Sequence, residues 1–496
     1  MAKVRGVMSR RRHRTPCISA TVLAALLSAC AVGPDFKRPA APDVPRYSTE
    51  PVTDTASAAT TGGEMQHFNT QLEISQQWWD AFASPEVDRL VQQALAANPD
   101  LQAAQAALRA ALENVAAQRG QLFPALSGSY SYSREQDPLG TLAPTLSSGI
   151  QIFSLNTASL SVSYSPDVFG LYRRQLESTQ ASAEAQRFQT QATYLTLVSN
   201  TLSAAIMQAS ARTQLDATRE LIGSGRESLE ILRQQYHLGS ISMAQVSAQE
   251  SALAQEEALL PALEQQETAQ RDLLAQLTGK FPSQMPVSQL DLSMLTLPQE
   301  LPLTLPAKLI EQRPDIRCAE AQLHAATANV GVAIANMLPD ISLSAGLGTT
   351  AIGLGQLNQP GTRFWNYGAS LSQTLFAGGA LLHKKRAAVA LMDQAAAQYR
   401  GTVLQAFRQV ADTLAALQAD AKTLEAQARA ERAAAASLAI IKQNLQFGSA
   451  SYLDLLAAQG LYAQAVAATA QARAARLSDT VALFQALGGA WWKPTA

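Results

Sequence analysis

Pro124-Ala125-Leu126-Ser127-Gly128-Ser129-Tyr130-Ser131-Tyr132-Ser133 is the stretch on which the fold turns. Leu126, Gly128, Tyr130 and Tyr132 alternate with four serines, and a period of two is the mark of a strand. The pattern recurs three times: Ala158, Leu160, Val162 and Tyr164 against Ser159, Ser161, Ser163 and Ser165; Ile341, Leu343, Ala345 and Leu347 against Ser342, Ser344, Gly346 and Gly348; Tyr367, Ala369, Leu371 and Leu375 against Gly368, Ser370, Ser372 and Thr374. These runs predict two hairpins, at about 126–166 and about 340–376. One face of each strand is apolar and the other carries only small polar residues, whereas a soluble sheet would show water Lys, Glu and Thr. A membrane barrel, with lipid outside and a wet lumen, asks for this alternation. Phe169, Phe364, Trp365, Tyr367 and Phe376 near the strand ends fit an interfacial aromatic girdle.

Four strands cannot close a barrel, and open edges are not tolerated in lipid. Known barrels start at about eight strands, so at least two copies of the chain must share one. After Cys30 no apolar run approaches the roughly eighteen residues that a spanning helix needs. Any crossing of a membrane therefore falls to the strands.

Around these strands the chain is written twice. At an offset of 215 residues Pro99-Asp100-Leu101 overlays Pro314-Asp315-Ile316, Leu108 overlays Leu323, Asn114-Val115 overlays Asn329-Val330, and Pro124 overlays Pro339. Within this window apolar residues recur every seventh position: Val87, Ala94, Leu101, Leu108, Val115 and Leu122, then Leu309, Ile316, Leu323, Val330 and Met337. A second row of mostly alanine accompanies them, which predicts coiled-coil seams that let helices approach closely. Asn98 and Arg313 precede prolines that suit a first helical turn.

Two long helical stretches follow the hairpins, Arg173 to Tyr236 and about Leu381 to Phe447. At about 1.5 Å per residue each reaches on the order of 100 Å, which suggests a tube of helices. Gly223 and Gly225 are the weak points of the first. Each stretch ends in a similar turn, Leu238-Gly239-Ser240-Ile241-Ser242 and Phe447-Gly448-Ser449-Ala450-Ser451, where glycine stops one helix and serine starts the next. Returning helices end at Leu277-Thr278-Gly279 and Leu487-Gly488-Gly489.

The N-terminus reads as an export signal: Arg10, Arg11, Arg12 and Arg14, then an apolar run from Ile18 to Leu27 and small residues before Cys30. Because Leu27-Ser28-Ala29-Cys30 resembles a lipobox, which implies cleavage before an acylated cysteine, the domain organisation reads as a lipoprotein signal peptide (1–29), an acylated N-terminus and extended linker (30–75), a first repeat (76–280), a connecting segment (281–305), a second repeat (306–490) and a tail (491–496). Of three cysteines, Cys17 would leave with the signal and Cys30, by the lipobox resemblance, would be acylated, so Cys318 has no partner for a disulfide and reads as a small buried residue.

Composition excludes other classes. The formal net charge is −1 and only 16% of residues are charged, which argues against nucleic acid as a partner and for large packed surfaces. The five histidines (His13, His67, His237, His324, His383) are isolated, and no zinc, nucleophile-elbow or phosphate-loop pattern occurs. No catalytic or metal-binding residues are assigned, no cofactor is expected beyond a covalent lipid on Cys30, and the chain does not read as an enzyme.

Leu27-Ser28-Ala29-Cys30 resembles a lipobox, and Ala31 after it suits sorting to the outer membrane. Together with Val32-Gly33-Pro34-Asp35-Phe36, Trp78-Trp79, Asn98-Pro99-Asp100, the two strand pairs, the two Gly-Ser turns and Leu487-Gly488-Gly489-Ala490-Trp491, the chain resembles the TolC-type outer-membrane efflux factors, in their lipoprotein (OprM/NodT-like) branch. The resemblance implies a mainly α fold with a membrane β-barrel portion. Three copies would share a twelve-stranded β-barrel, continued by an α-helical barrel through the periplasm. It implies a lipid-anchored outer-membrane channel that passes small toxic compounds received from an inner-membrane pump through a periplasmic adaptor.

By the same resemblance Gly239, Ser240, Gly448 and Ser449 contact the adaptor, although tight-turn geometry alone would also explain the glycines. Leu453 and Asp454 would form a periplasmic constriction, with Ala457 where many relatives carry another aspartate; Asp454 reads equally as a solvated carboxylate on a helix. A channel for polypeptide secretion and a non-pore periplasmic coiled-coil protein are the competing functions.

Overall fold

The computed structural model describes residues 31–136, 152–286 and 290–489. These fall into two compact units. One lies within Met1–Lys37, Ala111–Ala183 and Gln322–Ala396, the other within Arg38–Ala110, Glu184–Ala321 and Ala397–Ala496.

The first unit holds the sheet. Strands β2 (Ala125–Gln136), β3 (Ile152–Tyr164), β5 (Asp340–Ala351) and β6 (Arg363–Ser372) pair antiparallel in the order β2-β3-β5-β6. Their register carries each alternation across all four strands. Leu126 lies opposite Val162, Val162 opposite Ala345, and Ala345 opposite Tyr367. Gly128, Leu160, Leu347 and Trp365 form the next row. The other face is stitched by hydroxyl pairs: Ser127–Ser161 at 2.8 Å, Ser129–Ser159 at 2.9 Å, Thr157–Thr350 at 3.0 Å and Ser342–Ser370 at 2.7 Å. Such directly opposed pairs fix register, because a slip of one residue would turn Leu126, Leu160 and Leu347 to the serine side.

The aromatic girdle is narrower than the sequence predicts. Trp365 and Tyr367 stack with ring centroids 5.7 Å apart on the apolar face. Phe364 lies opposite Gly348 and so joins the serine face, while Phe169 and Phe376 lie beyond the strand ends. The last strand also stops at Ser372, short of the expected Leu375.

In the same unit Val32-Gly33-Pro34-Asp35-Phe36 docks beside helices α3 (Leu171–His237) and α7 (Pro314–Ala335). The Val32 amide donates to the Phe169 carbonyl at 3.2 Å. Arg174, almost wholly buried, donates to the Val32 carbonyl at 3.1 Å and pairs with Asp35 and Glu177, each at 2.7 Å. Phe36 stacks on His324 at 4.4 Å, and His324 meets Glu177 at 2.9 Å. A Cβ on Gly33 would come within 2.4 Å of the Gly331 backbone, so this motif needs glycine for close approach. Cys30 lies outside the described residues.

The second unit contains the main hydrophobic core. Trp78 and Trp79 sit in a short 3₁₀ turn, Trp78–Phe82; Trp78 stacks on Phe484 at 5.0 Å and meets Trp79 edge-on at 6.2 Å. Helices α1 (Pro85–Ala97) and α2 (Pro99–Gly120) are separated at Asn98-Pro99, and α6 (Pro306–Gln312) and α7 at Arg313-Pro314. In each copy the residue before proline ties the joint to the end of a returning helix. Asn98 donates to the Leu277 carbonyl at 3.0 Å and caps α2 through the Leu101 amide; Arg313 donates to the Ala486 carbonyl at 2.7 Å and pairs with Asp315.

Of the seam residues, Val87, Ala94, Leu101, Leu309, Ile316, Leu323 and Val330 are buried, but Leu108, Val115 and Leu122 are only half-buried in the single chain. Cys318 is buried beside Ala185, Phe188 and Ala321, and burial, with Asp315 nearby, pushes its thiol pKa up, away from reactivity.

The long helices α3 and α8 (Ala380–Gln446) have the same length, 67 residues. α3 runs unbroken through Gly223 and Gly225, where the buried Gln249 amide donates to the Gly225 carbonyl at 3.0 Å. The returning helices differ. In the second copy α9 (Tyr452–Ala486) is continuous, but in the first the chain breaks into α4 (Met243–Glu257) and α5 (Leu260–Leu277). Pro261 is the cause, since its ring excludes the carbonyl one turn earlier and it has no amide to donate.

The segments read as linkers are more than connections. His67–Asn69 (β1) pairs parallel with Glu300–Pro302 (β4), and Leu290, Leu292, Leu295, Leu297 and Leu301 enter the core. Arg476 of α9 is fully buried and fastens the N-terminal segment, donating to Thr55 Oγ1 (2.9 Å), the Glu64 carbonyl (2.6 Å), the Gly62 carbonyl (3.2 Å) and Gln66 Oε1 (3.3 Å).

Beside this arginine, Asp420 on α8 and Asp479 on α9 share a hydrogen bond. Burial, then that bond and the neighbouring charge, raise the Asp479 pKa from the ordinary 3.8 to about 6, and burial raises Asp420 as well. The folded pair keeps a proton that the unfolded chain would release. Its contribution is therefore complete below pH 3.8 and lost as the pH rises through about 6. Asp479→Asn should melt above the wild type at pH 8 and level with it near the acid limit; scanning calorimetry in detergent across that range checks this.

Candidate functional site

Three features of the chain bear on function: the two helical-hairpin tips, the first turns of α9, and the sheet. Both tips are the same backbone device. Gly239 and Gly448 each have φ +72°. The Ser240 amide returns to the Gln235 carbonyl and the Ser449 amide to the Asn444 carbonyl, both at 2.9 Å, while the glycine amides bond Tyr236 and Leu445. This is a Schellman motif, in which a left-handed residue closes the helix and satisfies its last carbonyls. The serine hydroxyls reinforce it, donating to the same carbonyls at 2.8 and 3.1 Å. A Cβ at either glycine would meet nothing within 4 Å, so the requirement is one of backbone handedness. Gly448→Ala should cost about 1–2 kcal/mol through the left-handed conformation, Gly448→Asn less, as read by hydrogen exchange at the Ser449 amide.

Sequence reasoning singled out the glycines and serines but missed their apolar neighbours. Leu238 is 83% exposed and Phe447 76% exposed, one immediately before each tip glycine. The signal was present as a repeated large apolar residue where a solvated turn would carry a polar one.

At the start of α9 Ser451 and Asp454 form a capping box. The Ser451 amide donates to Asp454 Oδ2 at 2.8 Å, the Ser451 hydroxyl donates to the same oxygen at 2.7 Å, and the Asp454 amide donates back to Ser451 Oγ at 3.2 Å. These bonds from Ser451 hold the Asp454 carboxyl below the usual range. Asp454 therefore has a structural task, and it stays ionised and exposed while performing it. Leu453 is 58% exposed, and Ala457, Leu461 and Gln464 continue one exposed row along the helix. The opposite face buries Leu455 and Ala458 against Leu438.

The sheet supplies the third feature. One face is apolar over four strands, the other is lined by hydroxyls, and among the described residues β2 and β6 each leave an edge without a strand partner. Among the described residues no helix is long and apolar enough to cross a membrane, and no three His, Cys, Asp or Glu side chains gather as a metal site.

A family model described as outer membrane efflux protein matches residues 90–280 and 305–489. The chain belongs to the outer membrane efflux protein family. It is 31% identical over 424 residues to the pyoverdine export outer membrane protein OpmQ of Pseudomonas aeruginosa, covering 84% of this chain and 87% of that one. It is 30% identical over 489 residues, 96% of each chain, to the toluene efflux pump outer membrane protein TtgC of Pseudomonas putida. Among solved structures the outer-membrane channel OprN aligns with TM-score 0.81 at 28% identity, over 93% of this chain and all of that one. VceC of Vibrio cholerae aligns with TM-score 0.77 at 26% identity, over 84% of this chain and all of that one. This efflux protein is an outer-membrane channel protein with the TolC-type fold.

Proposed function

We propose that three copies of this efflux protein close a twelve-stranded barrel in the outer membrane and export small toxic compounds delivered by an inner-membrane pump through a periplasmic adaptor. The observation that carries the reading is the sheet. A four-stranded, one-face-apolar sheet with two free edges is stable in lipid only when further copies pair with those edges. The half-buried seam residues Leu108, Val115 and Leu122 support the same conclusion, because they offer apolar surface that one chain leaves open.

The tips are read as the adaptor contact, with Leu238 and Phe447 as apolar anchors held by Gly239, Ser240, Gly448 and Ser449. Leu453 and Asp454 are read as lining the periplasmic constriction, where a ring of ionised carboxylates would favour cations. The names of the relatives, which export pyoverdine and toluene, favour small molecules over polypeptides. No catalytic role is assigned to any residue.

The chain is further read as lipid-anchored through Cys30. Support comes from the resemblance of Leu27-Ser28-Ala29-Cys30 to a lipobox; Ala31, the first described residue, packs against Gly170. Cys30→Ser is expected to abolish incorporation of radioactive palmitate, and labelling that survives refutes the anchor. The pore is tested directly: purified protein in planar bilayers should give discrete conductance steps, if necessary after opening the constriction by Leu453→Ala. Silence from that opened variant would overturn the channel mechanism.

A further inference from the structure

The second hairpin and the start of α8 carry a charge imbalance. Between Asp340 and Asp393 the sequence has no carboxylate, yet it holds Arg363, His383, Lys384, Lys385 and Arg386. His383-Lys384-Lys385-Arg386 occupies the first two turns of α8, a few residues after Leu375 and Phe376, which are 91% and 87% exposed beyond the end of β6. His383, Lys384 and Arg386 are exposed and Lys385 is half-buried. The ion pairs of α8 among the described residues, Arg408–Asp412 and Arg429–Glu425, lie far along the helix.

Two comparisons show that, among the described residues, the chain's own acids do not neutralise this junction. First, cations at the start of a helix oppose its dipole, and α8 has no acidic residue in its first turn to offset them. Second, the internal duplication supplies a control. At the corresponding strand-to-helix junction of the first copy, Arg173 is paired with Asp167 at 3.2 Å and Arg174 with Asp35 and Glu177 at 2.7 Å. One junction is neutralised from within and the other is left cationic.

We infer that Lys384, Lys385 and Arg386 bind the phosphodiester headgroups of anionic lipid in the leaflet bordering the α8 end of the sheet. The inference rests on the reading of the sheet as the membrane-embedded part. Basic residues just outside the hydrocarbon region are attracted to anionic headgroups, and long Lys and Arg stems let charges around a helix swing to one surface.

The test compares wild type, Lys384→Gln/Lys385→Gln/Arg386→Gln, the charge-preserving Lys384→Arg/Lys385→Arg, and the distant control Lys422→Gln/Arg429→Gln, all as full chains in non-ionic detergent. Bound lipid is counted by native mass spectrometry during titration with dioleoylphosphatidylglycerol, dioleoylphosphatidylcholine or inorganic phosphate. Wild type, the arginine variant and the control should prefer phosphatidylglycerol, and the triple glutamine variant should bind it on the order of tenfold to a hundredfold more weakly for three cations removed. Equal phosphatidylglycerol binding by the triple variant overturns the inference. So does competition by millimolar phosphate, which would mark a free-phosphate site, or a loss of oligomer by the triple variant without lipid, which would put a neighbouring copy's acid there. Wild type that fails to insert into phosphatidylcholine vesicles overturns the membrane reading instead. Insertion without any preference for phosphatidylglycerol overturns only this inference.

Discussion

Arg476→Leu is expected to lower stability by about 3–5 kcal/mol, because four acceptors, three of them on the buried residues Thr55, Gly62 and Gln66, lose their donor at once and each buried orphaned group costs about 1–3 kcal/mol, partly recovered by relaxation. Thr55, Gln66 and Thr480 are buried around it, and Gln66 in turn donates to the Pro298 carbonyl (3.0 Å) and Thr480 Oγ1 (3.1 Å). The loss therefore spreads along a network joining the N-terminal segment, the connection near Pro298 and α9, and it should be cooperative. Two measurements separate this role from general damage. Thermal melting should drop, and limited digestion with proteinase K should cut within residues 52–66 before any helix is lost. Arg476→Lys should recover part of the stability, since an ammonium keeps the charge but cannot reach four acceptors in a fork. A variant that melts like the wild type with an intact N-terminal segment would show that Arg476 does not hold it.

Leu160→Arg should prevent assembly in the outer membrane, whereas Ser344→Arg should be tolerated. Leu160 sits mid-strand in the row Gly128, Leu160, Leu347 and Trp365, on the face read as meeting lipid. A guanidinium near the bilayer midplane costs about 2–4 kcal/mol there, and three copies would multiply the penalty. Ser344 lies on the opposite face between Ser163 and Gly368, whose small side chains leave room for an arginine that stays in water. Folding into phosphatidylcholine vesicles, followed by the gel shift of heat-resistant oligomers, reads both variants. Failure of Ser344→Arg with success of Leu160→Arg would reverse the assignment of the faces.

Much of this was legible because periodicity is a local property. A strand shows its faces at every second residue, so Leu126 to Tyr132 and Ile341 to Leu347 announced the sheet before any coordinates. The tips were legible for a similar reason: a left-handed turn calls for glycine, and Gly239 and Gly448 occur once at the end of each long helical stretch. Phe364 was misplaced because neighbouring aromatics on a strand look alike in composition, and only pairing with Gly348 assigns its face. The break before Leu260 is legible in Pro261, which the duplicate helix lacks.

The candidate site divides along the same line. Asp454 could be read as a pore carboxylate or a solvated residue, yet its bonds to Ser451 give it a capping task that the Ser-x-x-Asp spacing hints at and only geometry establishes. Leu238 and Phe447 were visible as letters but not as exposed surfaces. Arg476 is one of two arginines on an alanine-rich helix, and residue order alone does not separate it from Arg473.

By itself, the sequence determined the duplication, the four alternating strands, the long helices with their turns, and the need for more than one copy. Each follows from residue order within a short window or from the count of strands. The tertiary structure decided which faces share a register, that Arg174 and Arg476 fasten two parts of the N-terminal segment, that Asn98 and Arg313 cap helices distant in sequence, and that one strand-to-helix junction is neutralised while its duplicate stays cationic. Those outcomes depend on which groups meet across more than a hundred residues, and the energy of a buried hydrogen bond or ion pair exists only once both partners share the same dry space.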